Sequence, residues 1–345
     1  VQNFLKNKYT YIIAELSANH NQSFQIAKDS IYAAKEAGAD AIKFQTYTAD
    51  TMTLNIKNSY YSAGNIWDDQ YLYQLYEKAY MPWEWQKELK EYADELKIDC
   101  FSSPFDCSAV DFLETIDVPA YKIASYEITD LPLIEYTASK QKPLIISTGI
   151  ASIEDIEEAI NSCKKMGNHN ISLLKCTSSY PAPLEDANLN SIKYLEDRFN
   201  LPVGYSDHTL GITAPIVAVS LGAKIIEKHF ILDKSINSAD SSFSLDKNEL
   251  RNMVNSIRDV EKMLGEYKFK LTKKQEEGKY YSRSLFVVKK IKKGEVFTSE
   301  NIKSLRPNLG IKPKSLNQII GKKAKMDLEY GMPLKEEFIE DTKEG

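Results

Sequence analysis

From residue 11 to about residue 265, short apolar and β-branched runs alternate with stretches in which apolar residues recur every three or four positions. The first spacing suits strands covered on both faces, and the second suits amphipathic helices. Eight runs read as strands: 11–15, 39–44, 99–102, 120–124, 143–147, 171–176, 202–205 and 223–229. Helical patterns lie between them at 24–37, 82–96, 153–166 and 212–221, with a last one at 246–264. Eight such alternations in about 250 residues predict an α/β fold of the (β/α)8 TIM-barrel type. A doubly wound open sheet would normally carry a glycine-rich turn after its first strand. Glu15-Leu16-Ser17-Ala18-Asn19-His20 contains no glycine.

After Leu264 the pattern changes. Residues 265–279 are polar and lysine-rich, and short strands and turns follow, with Gly310, Gly321 and Gly331 among them. The expected organisation is a catalytic barrel over 1–265, a linker over 266–281 and a small C-terminal domain over 282–345. Charge divides similarly. The net charge of −5 hides 18 Lys+Arg against 11 Asp+Glu from Lys270 onward, or +7, leaving 26 against 38, or −12, before it. The lysines of the basic part alternate with Glu295, Glu300, Glu329 and Glu336 and lack an aromatic stacking pattern, so no nucleic-acid partner is expected.

No apolar run reaches the ~18 residues of a spanning helix, so no membrane partner is expected either. The four cysteines form no CxxC pair, and the start of the chain has no charged-then-apolar leader. Both point to a reducing, cytoplasmic setting. Val1 is not methionine, and the numbering is expected to begin inside the natural reading frame.

In a barrel of this type the chemistry gathers at the carboxyl ends of the strands. Here those ends are polar: Glu15; Lys43 and Gln45; Ser102 and Ser103; Lys122, Ser125 and Glu127; Ser147 and Thr148; Cys176 to Tyr180; Ser206 and His208; Glu227 and His229. Lys43 and Lys122 sit inside apolar runs and share a face with small residues. An inward lysine is expensive unless an anion compensates it. That anion is a phosphate or carboxylate ligand, or else a structural partner such as Glu15 or Glu127. His208 and His229 end neighbouring strands, where two imidazoles either converge on one divalent ion or play a structural part. Glu227 and Asp240 are nearby carboxylates. The cysteines read as core fillers, with no histidine placed to activate Cys176.

Several segments together resemble the sialic acid synthases. They are Ala14-Glu15-Leu16-Ser17-Ala18-Asn19-His20-Asn21, Ile42-Lys43-Phe44-Gln45-Thr46, Ser102-Ser103-Pro104-Phe105 and Tyr121-Lys122-Ile123-Ala124-Ser125-Tyr126-Glu127. Ser147-Thr148-Gly149, Gly204-Tyr205-Ser206-Asp207-His208-Thr209, Ile226-Glu227-Lys228-His229-Phe230 and Arg306-Pro307 continue the likeness in order. The resemblance implies a barrel followed by a small antifreeze-like (SAF) domain, and condensation of phosphoenolpyruvate with an amino-sugar aldehyde with loss of phosphate. It implies that Lys43, Lys122, Ser125, Ser147, Ser178 and Ser206 hold phosphoenolpyruvate, with Ser103 nearby. His208 and His229 would bind a divalent metal ion, Mn2+ first, with Mg2+ or Co2+ as alternatives. Glu15 would stabilise a cationic intermediate or manage its proton, and Asp240 would orient a metal-bound water. Gln45, Glu127 and Tyr180 are candidate sugar contacts. Arg306 would reach the active site of a second copy in a domain-swapped homodimer.

Ser178 stands where the N-acetylneuraminate branch of the family carries asparagine. With Phe44 to Asp50 and Tyr80 to Trp85, it resembles the pseudaminic acid branch. That branch uses a 2,4-diacetamido-2,4,6-trideoxy-altrose and serves flagellin glycosylation. N-acetylneuraminate and legionaminate synthesis are the alternatives, and a non-catalytic glycan-binding role is a further one. Related aldol-type synthases for sugar phosphates carry phosphate-binding arginines inside the barrel. Arg198, Arg251 and Arg258 all fall on helical segments here.

Overall fold

The computed structural model describes residues 9–64 and 70–340, which divide into two compact units, 1–265 and 266–345. In the first unit the strands are β1 (Tyr11–Glu15), β2 (Ala41–Thr46), β3 (Asp99–Pro104), β4 (Tyr121–Ile123), β5 (Leu144–Ser147), β6 (Ile171–Cys176), β7 (Val203–Asp207) and β8 (Ile225–His229). All neighbours are parallel, and β8 pairs back onto β1 with Glu15 opposite His229, closing the barrel. The predicted β/α barrel is therefore the observed fold.

Three strands run further than the apolar pattern indicated, and β3 continues through Ser103 and Pro104. β2 continues through Gln45 and Thr46, and β7 continues through Ser206 and Asp207. Backbone pairing holds them there, because Gln45 and Thr46 ladder against Ser103 and Pro104 while Ser206 and Asp207 ladder against Glu227 and Lys228. Gly204 is required by close packing. A Cβ there would lie 2.4 Å from the Ile225 carbonyl oxygen and 2.7 Å from the Leu174 side chain.

Helices α1 (Phe24–Ala37), α2 (Ala49–Met52), α3 (Leu72–Ala79), α4 (Trp83–Glu95), α5 (Cys107–Thr115), α6 (Leu131–Ser139), α7 (Ile153–Lys165), α8 (Ser191–Phe199), α9 (Thr213–Ser220) and α10 (Lys247–Leu264) accompany the strands. Their starts are written locally. Asp106 and Asp130 cap α5 and α6, and reciprocal boxes of Ser152 with Asp155 and of Asp246 with Glu249 open α7 and α10. On α10, Leu250, Met253, Val254 and Ile257 repeat at helical spacing and are buried.

The second unit has its own core, including Leu285, Val287, Ile291, Phe297, Ile302 and Leu328. It opens with α11 (Lys273–Gly278), pairs β9 (Ser284–Val287) antiparallel to β10 (Ile302–Leu305), and continues to α12 (Leu316–Ile319). The segment expected as a linker thus contains a helical turn, α11, capped by Thr272. Among the described residues no helix is long and apolar enough to cross a membrane.

Candidate active site

Lys43, Lys122, Glu15 and Glu227 meet inside the mouth of the barrel, each no more than 5% exposed. Strand alternation turns all four inward. Lys43 Nζ lies 2.5 Å from Glu15 Oε2, 3.7 Å from Glu227 Oε2 and 3.3 Å from Ser103 Oγ. Lys122 Nζ is 3.5 Å from Glu227 Oε1, which also accepts a 3.0 Å bond from the Ser206 hydroxyl. Gln45 donates to Glu15 at 2.9 Å and to the Ser17 hydroxyl at 3.0 Å.

The structural partner of the second lysine is therefore Glu227. Glu127, offered from the sequence as one of two structural counter-charges, makes no ion pair with either lysine among the described contacts; it lines the cavity above them.

The four charges are not equally satisfied. Burial alone would lower the Lys43 ammonium, but Glu15 and Glu227 outweigh it and hold its pKa above the usual value. Burial prevails at Lys122, whose pKa is lowered despite the attraction of Glu227. The Glu15 carboxyl is raised, chiefly by burial, with Lys43 opposing and Glu227 adding to the rise. Burial also pushes Glu227 upward, yet Lys122, Lys43 and Ser206 together hold it below the usual value. Lys122 is consequently the ammonium with the weaker compensation and the greater gain from an incoming anion.

Beside this floor lies a ring of hydroxyls. The Gly149 amide donates to Ser125 Oγ at 3.1 Å, and the Ser147 hydroxyl is buried without a partner. A Cβ on Gly149 would fall 2.1 Å from Ser178 Oγ, 2.7 Å from Ser125 Oγ and 3.2 Å from Cys176 Sγ. These groups thus outline a small polar cradle that only a glycine leaves open. Its donors, with the two lysines, match the needs of a phosphate or carboxylate without any arginine.

His208 and His229 stand at the same rim, ring centroids 5.2 Å apart. His208 Nδ1 lies 3.1 Å from the Thr177 carbonyl, which leaves Nε2 for another partner. Burial, helped by His208 and the nearby lysines, holds the His229 pKa well below the usual value, so this imidazole is neutral. Its Nδ1 is buried without a hydrogen-bond partner, 3.6 Å from Asp240 Oδ2. The Asp240 carboxyl is raised by burial, while Ser17 and the Ala18 amide stabilise its charge.

Among the described residues no group of three His, Cys, Asp or Glu side chains forms a ready metal cage. Two imidazoles, one with an orphaned nitrogen, and an adjacent carboxylate fit a divalent ion that completes its shell with water and substrate oxygens.

Cys176 departs from expectation. Its Sγ lies 3.7 Å from His208 Nδ1, so a histidine does stand beside it. Burial raises the thiol, but His208, Ser125 and Lys122 outweigh it and bring the pKa to about 7.

A cavity of about 370 Å³ opens above the floor. Gln45, Glu127, Asp240 and His229 supply polar lining, whereas Met52, Leu72, Leu75 and Tyr76 supply an apolar wall. Tyr180 packs against His208 with ring centroids 4.4 Å apart and planes tilted by 57°. Arg306 lies in the second unit, exposed after β10 and before a cis proline.

The structure therefore brings together Glu15, Lys43, Gln45, Ser103, Lys122, Ser125, Glu127, Ser147, Ser178, Tyr180, Ser206, His208, His229 and Asp240, whereas Arg306 belongs to the second unit. Sequence reasoning missed the bridging place of Glu227, the part of Ser17 and the α3 wall. The wall had a signal, since Leu72, Leu75 and Tyr76 repeat at helical spacing.

Comparison with known proteins places these features in a family. The NeuB family model matches residues 30–269 and the SAF domain model matches 282–340. The chain is 48% identical over 337 residues to the pseudaminic acid synthase of Campylobacter jejuni, covering 97% of this chain and 98% of that one. It is 40% identical over 336 residues to the N,N'-diacetyllegionaminic acid synthase of Legionella pneumophila, covering 96% and 94%. The crystal structure of an N-acetylneuraminic acid synthetase from Leptospira borgpetersenii superposes with a TM-score of 0.71 at 34% identity, covering 78% of this chain and 90% of that one. The chain belongs to the NeuB (sialic acid synthase) family of phosphoenolpyruvate-dependent nonulosonic acid synthases.

Proposed function

We propose that the protein is a pseudaminic acid synthase, joining phosphoenolpyruvate to 2,4-diacetamido-2,4,6-trideoxy-β-L-altropyranose with C–O cleavage and release of phosphate. The observation that carries this reading is the pair of buried ammonium groups, Lys43 and Lys122, facing a hydroxyl cradle beside two imidazoles. The acceptor is supported by the 48% identity to a pseudaminic acid synthase against 40% to a legionaminic acid synthase. It is supported also by the apolar wall of Met52, Leu72, Leu75 and Tyr76, which suits a C6 methyl and acetamido methyls better than hydroxyls.

Lys122, Lys43 and the hydroxyls of Ser125, Ser147, Ser178 and Ser206 hold the phosphate and carboxylate, with Ser103 supporting Lys43. Carbon 3 of phosphoenolpyruvate attacks the aldehyde carbon of the open-chain sugar, and the new C–C bond leaves an oxocarbenium at carbon 2. Glu15 and Glu227 lie against the ammonium pair and stabilise that cation. Water adds at carbon 2, one of its protons passing to the alkoxide left by the aldehyde, and the tetrahedral adduct collapses to the ketone as the C–O bond to phosphate breaks and the remaining hydroxyl proton leaves with the phosphate. Gln45, Glu127 and Tyr180 orient the acceptor, and Asp240 positions the attacking water. His208 and His229 would hold a divalent ion, Mn2+ foremost, which supplies Lewis-acid polarisation of the aldehyde oxygen. Arg306 is assigned to the acceptor site of a second copy in a homodimer, and the product to flagellin glycosylation in a cytoplasmic pathway.

Phosphate release from phosphoenolpyruvate with a panel of acceptors, after chelation and again after Mn2+ return, tests the assignment. Release with the trideoxy sugar, lost on chelation and restored by Mn2+, is expected. Release with N-acetylmannosamine alone would overturn the acceptor, and release indifferent to chelation would overturn the metal.

A further inference from the structure

We infer that Asp207 and Lys228 form a positioning clamp that sets the spacing of His208 and His229. On β7 Ser206 faces the barrel interior, as does His208 just past the strand's end, so Asp207 faces outward. On β8, Glu227 and His229 face inward, so Lys228 faces outward. Asp207 and Lys228 are directly opposed across the last recorded rung of the β7–β8 ladder. Each imidazole is the next residue along the chain, so the clamp sits where strand pairing ends and the two rings begin.

The contacts close the corner completely. Lys228 Nζ lies 2.6 Å from Asp207 Oδ2, with both side chains 0% exposed. The same ammonium donates to the Thr209 carbonyl, and the Thr209 amide donates to Asp207 Oδ1 at 2.9 Å. His208 is thereby enclosed in a turn tied at Asp207 and at Thr209 to one amine on the neighbouring strand.

A fully buried ion pair is a poor source of stability, because desolvation offsets its attraction and apolar replacements of similar volume are often neutral or better. Its attested use is to specify one geometry among several. Here the geometry specified is the separation of the two rings, 5.2 Å between centroids.

The clamp rests on the reading that both imidazoles hold one divalent ion, and the experiment separates the two. Mn2+ affinity is measured by the loss of the free-ion paramagnetic resonance signal, alongside phosphoenolpyruvate affinity by calorimetry and the melting temperature. The variants are the double Asp207→Leu/Lys228→Met, the near-isosteric Asp207→Asn, and His208→Ala as the direct ligand control. The double variant is expected to lose about 10- to 100-fold in Mn2+ affinity, the scale seen when groups supporting metal ligands are removed. Its affinity for phosphoenolpyruvate without metal should remain, since Lys43, Lys122 and the hydroxyl cradle are untouched. Asp207→Asn keeps the shape and the acceptor for Thr209 but loses the charge, and should fall between, which keeps the test open if the double variant folds poorly. Wild-type Mn2+ affinity in either folded variant would overturn the clamp. Absence of Mn2+ binding in the wild type, or its survival in His208→Ala, would overturn the metal reading and the clamp with it.

Discussion

Replacing Lys122 with methionine separates binding from folding. Lys122 Nζ is 3.5 Å from Glu227, longer than the ~2.7–2.9 Å of a good charge-assisted bond, and burial holds its pKa below the usual value. The folded chain therefore gains less from this ammonium than from Lys43, and methionine fills the same stem volume. Glu227 keeps the Ser206 hydroxyl at 3.0 Å and Lys43 at 3.7 Å. Stability should stay within about 1 kcal/mol, or ~2–4 °C in melting temperature. An anionic ligand would lose one charge-assisted contact worth ~1.5–3 kcal/mol, which is ~10- to 150-fold in affinity. Lys43→Met should behave differently, because Glu15 at 2.5 Å loses its ion-pair partner and an unpaired buried carboxylate costs about 3–5 kcal/mol. Calorimetric titration with phosphoenolpyruvate, paired with thermal unfolding, reads both effects. A Lys122→Met protein that binds phosphoenolpyruvate as tightly as the wild type, or that loses stability to the extent of Lys43→Met, would refute this reasoning.

Glu127 titrates at about 7 rather than 4.5, pushed up chiefly by burial against the opposing charge of Lys122. The raised value means that the stability tied to the protonated carboxyl is complete below 4.5 and is lost as pH rises through about 7. Glu127→Gln should then melt above the wild type at pH 8, with the difference shrinking toward pH 5, and should erase any limb near pH 7 in kcat/KM for the sugar. Gly149→Ala would put a methyl 2.1 Å from Ser178 Oγ, inside the cradle, and should raise the KM for phosphoenolpyruvate at least ~10-fold while the acceptor KM changes less. Leu75→Asn replaces part of the apolar wall, and steady-state phosphate release should show a ~5- to 150-fold lower kcat/KM for the trideoxy acceptor, the ~1–3 kcal/mol scale of one apolar group.

The barrel was legible because its strands are buried on both faces, and the runs at 11–15 and 171–176 coincide with β1 and β6 to the residue. Legibility failed where strands turn polar to build the site. Gln45, Thr46, Ser206 and Asp207 ended the apolar runs early, although ladder pairing carries β2 and β7 through them. Lys43 and Lys122 stood out as charges in apolar runs, but their partner Glu227 did not. Alternation places Glu227 on the face of His229, and only barrel closure brings it across to strands β2 and β4. The Cys176–His208 contact spans 32 positions and had no local signal. The wall on α3 was hidden for another reason: a short helix following a long excursion after β2 carries no strong cap, and its role appears only with the cavity it covers.

The most direct test of the central claim is a crystal structure of the protein soaked with phosphoenolpyruvate and Mn2+, with anomalous data collected at the manganese edge. The ligand's phosphate and carboxylate should lie within hydrogen-bond reach of Lys43 Nζ, Lys122 Nζ and the hydroxyls of Ser125, Ser147 and Ser206, with a manganese peak between His208 and His229. Phosphoenolpyruvate lodged away from both ammonium groups, or a manganese peak distant from the two imidazoles, would contradict it.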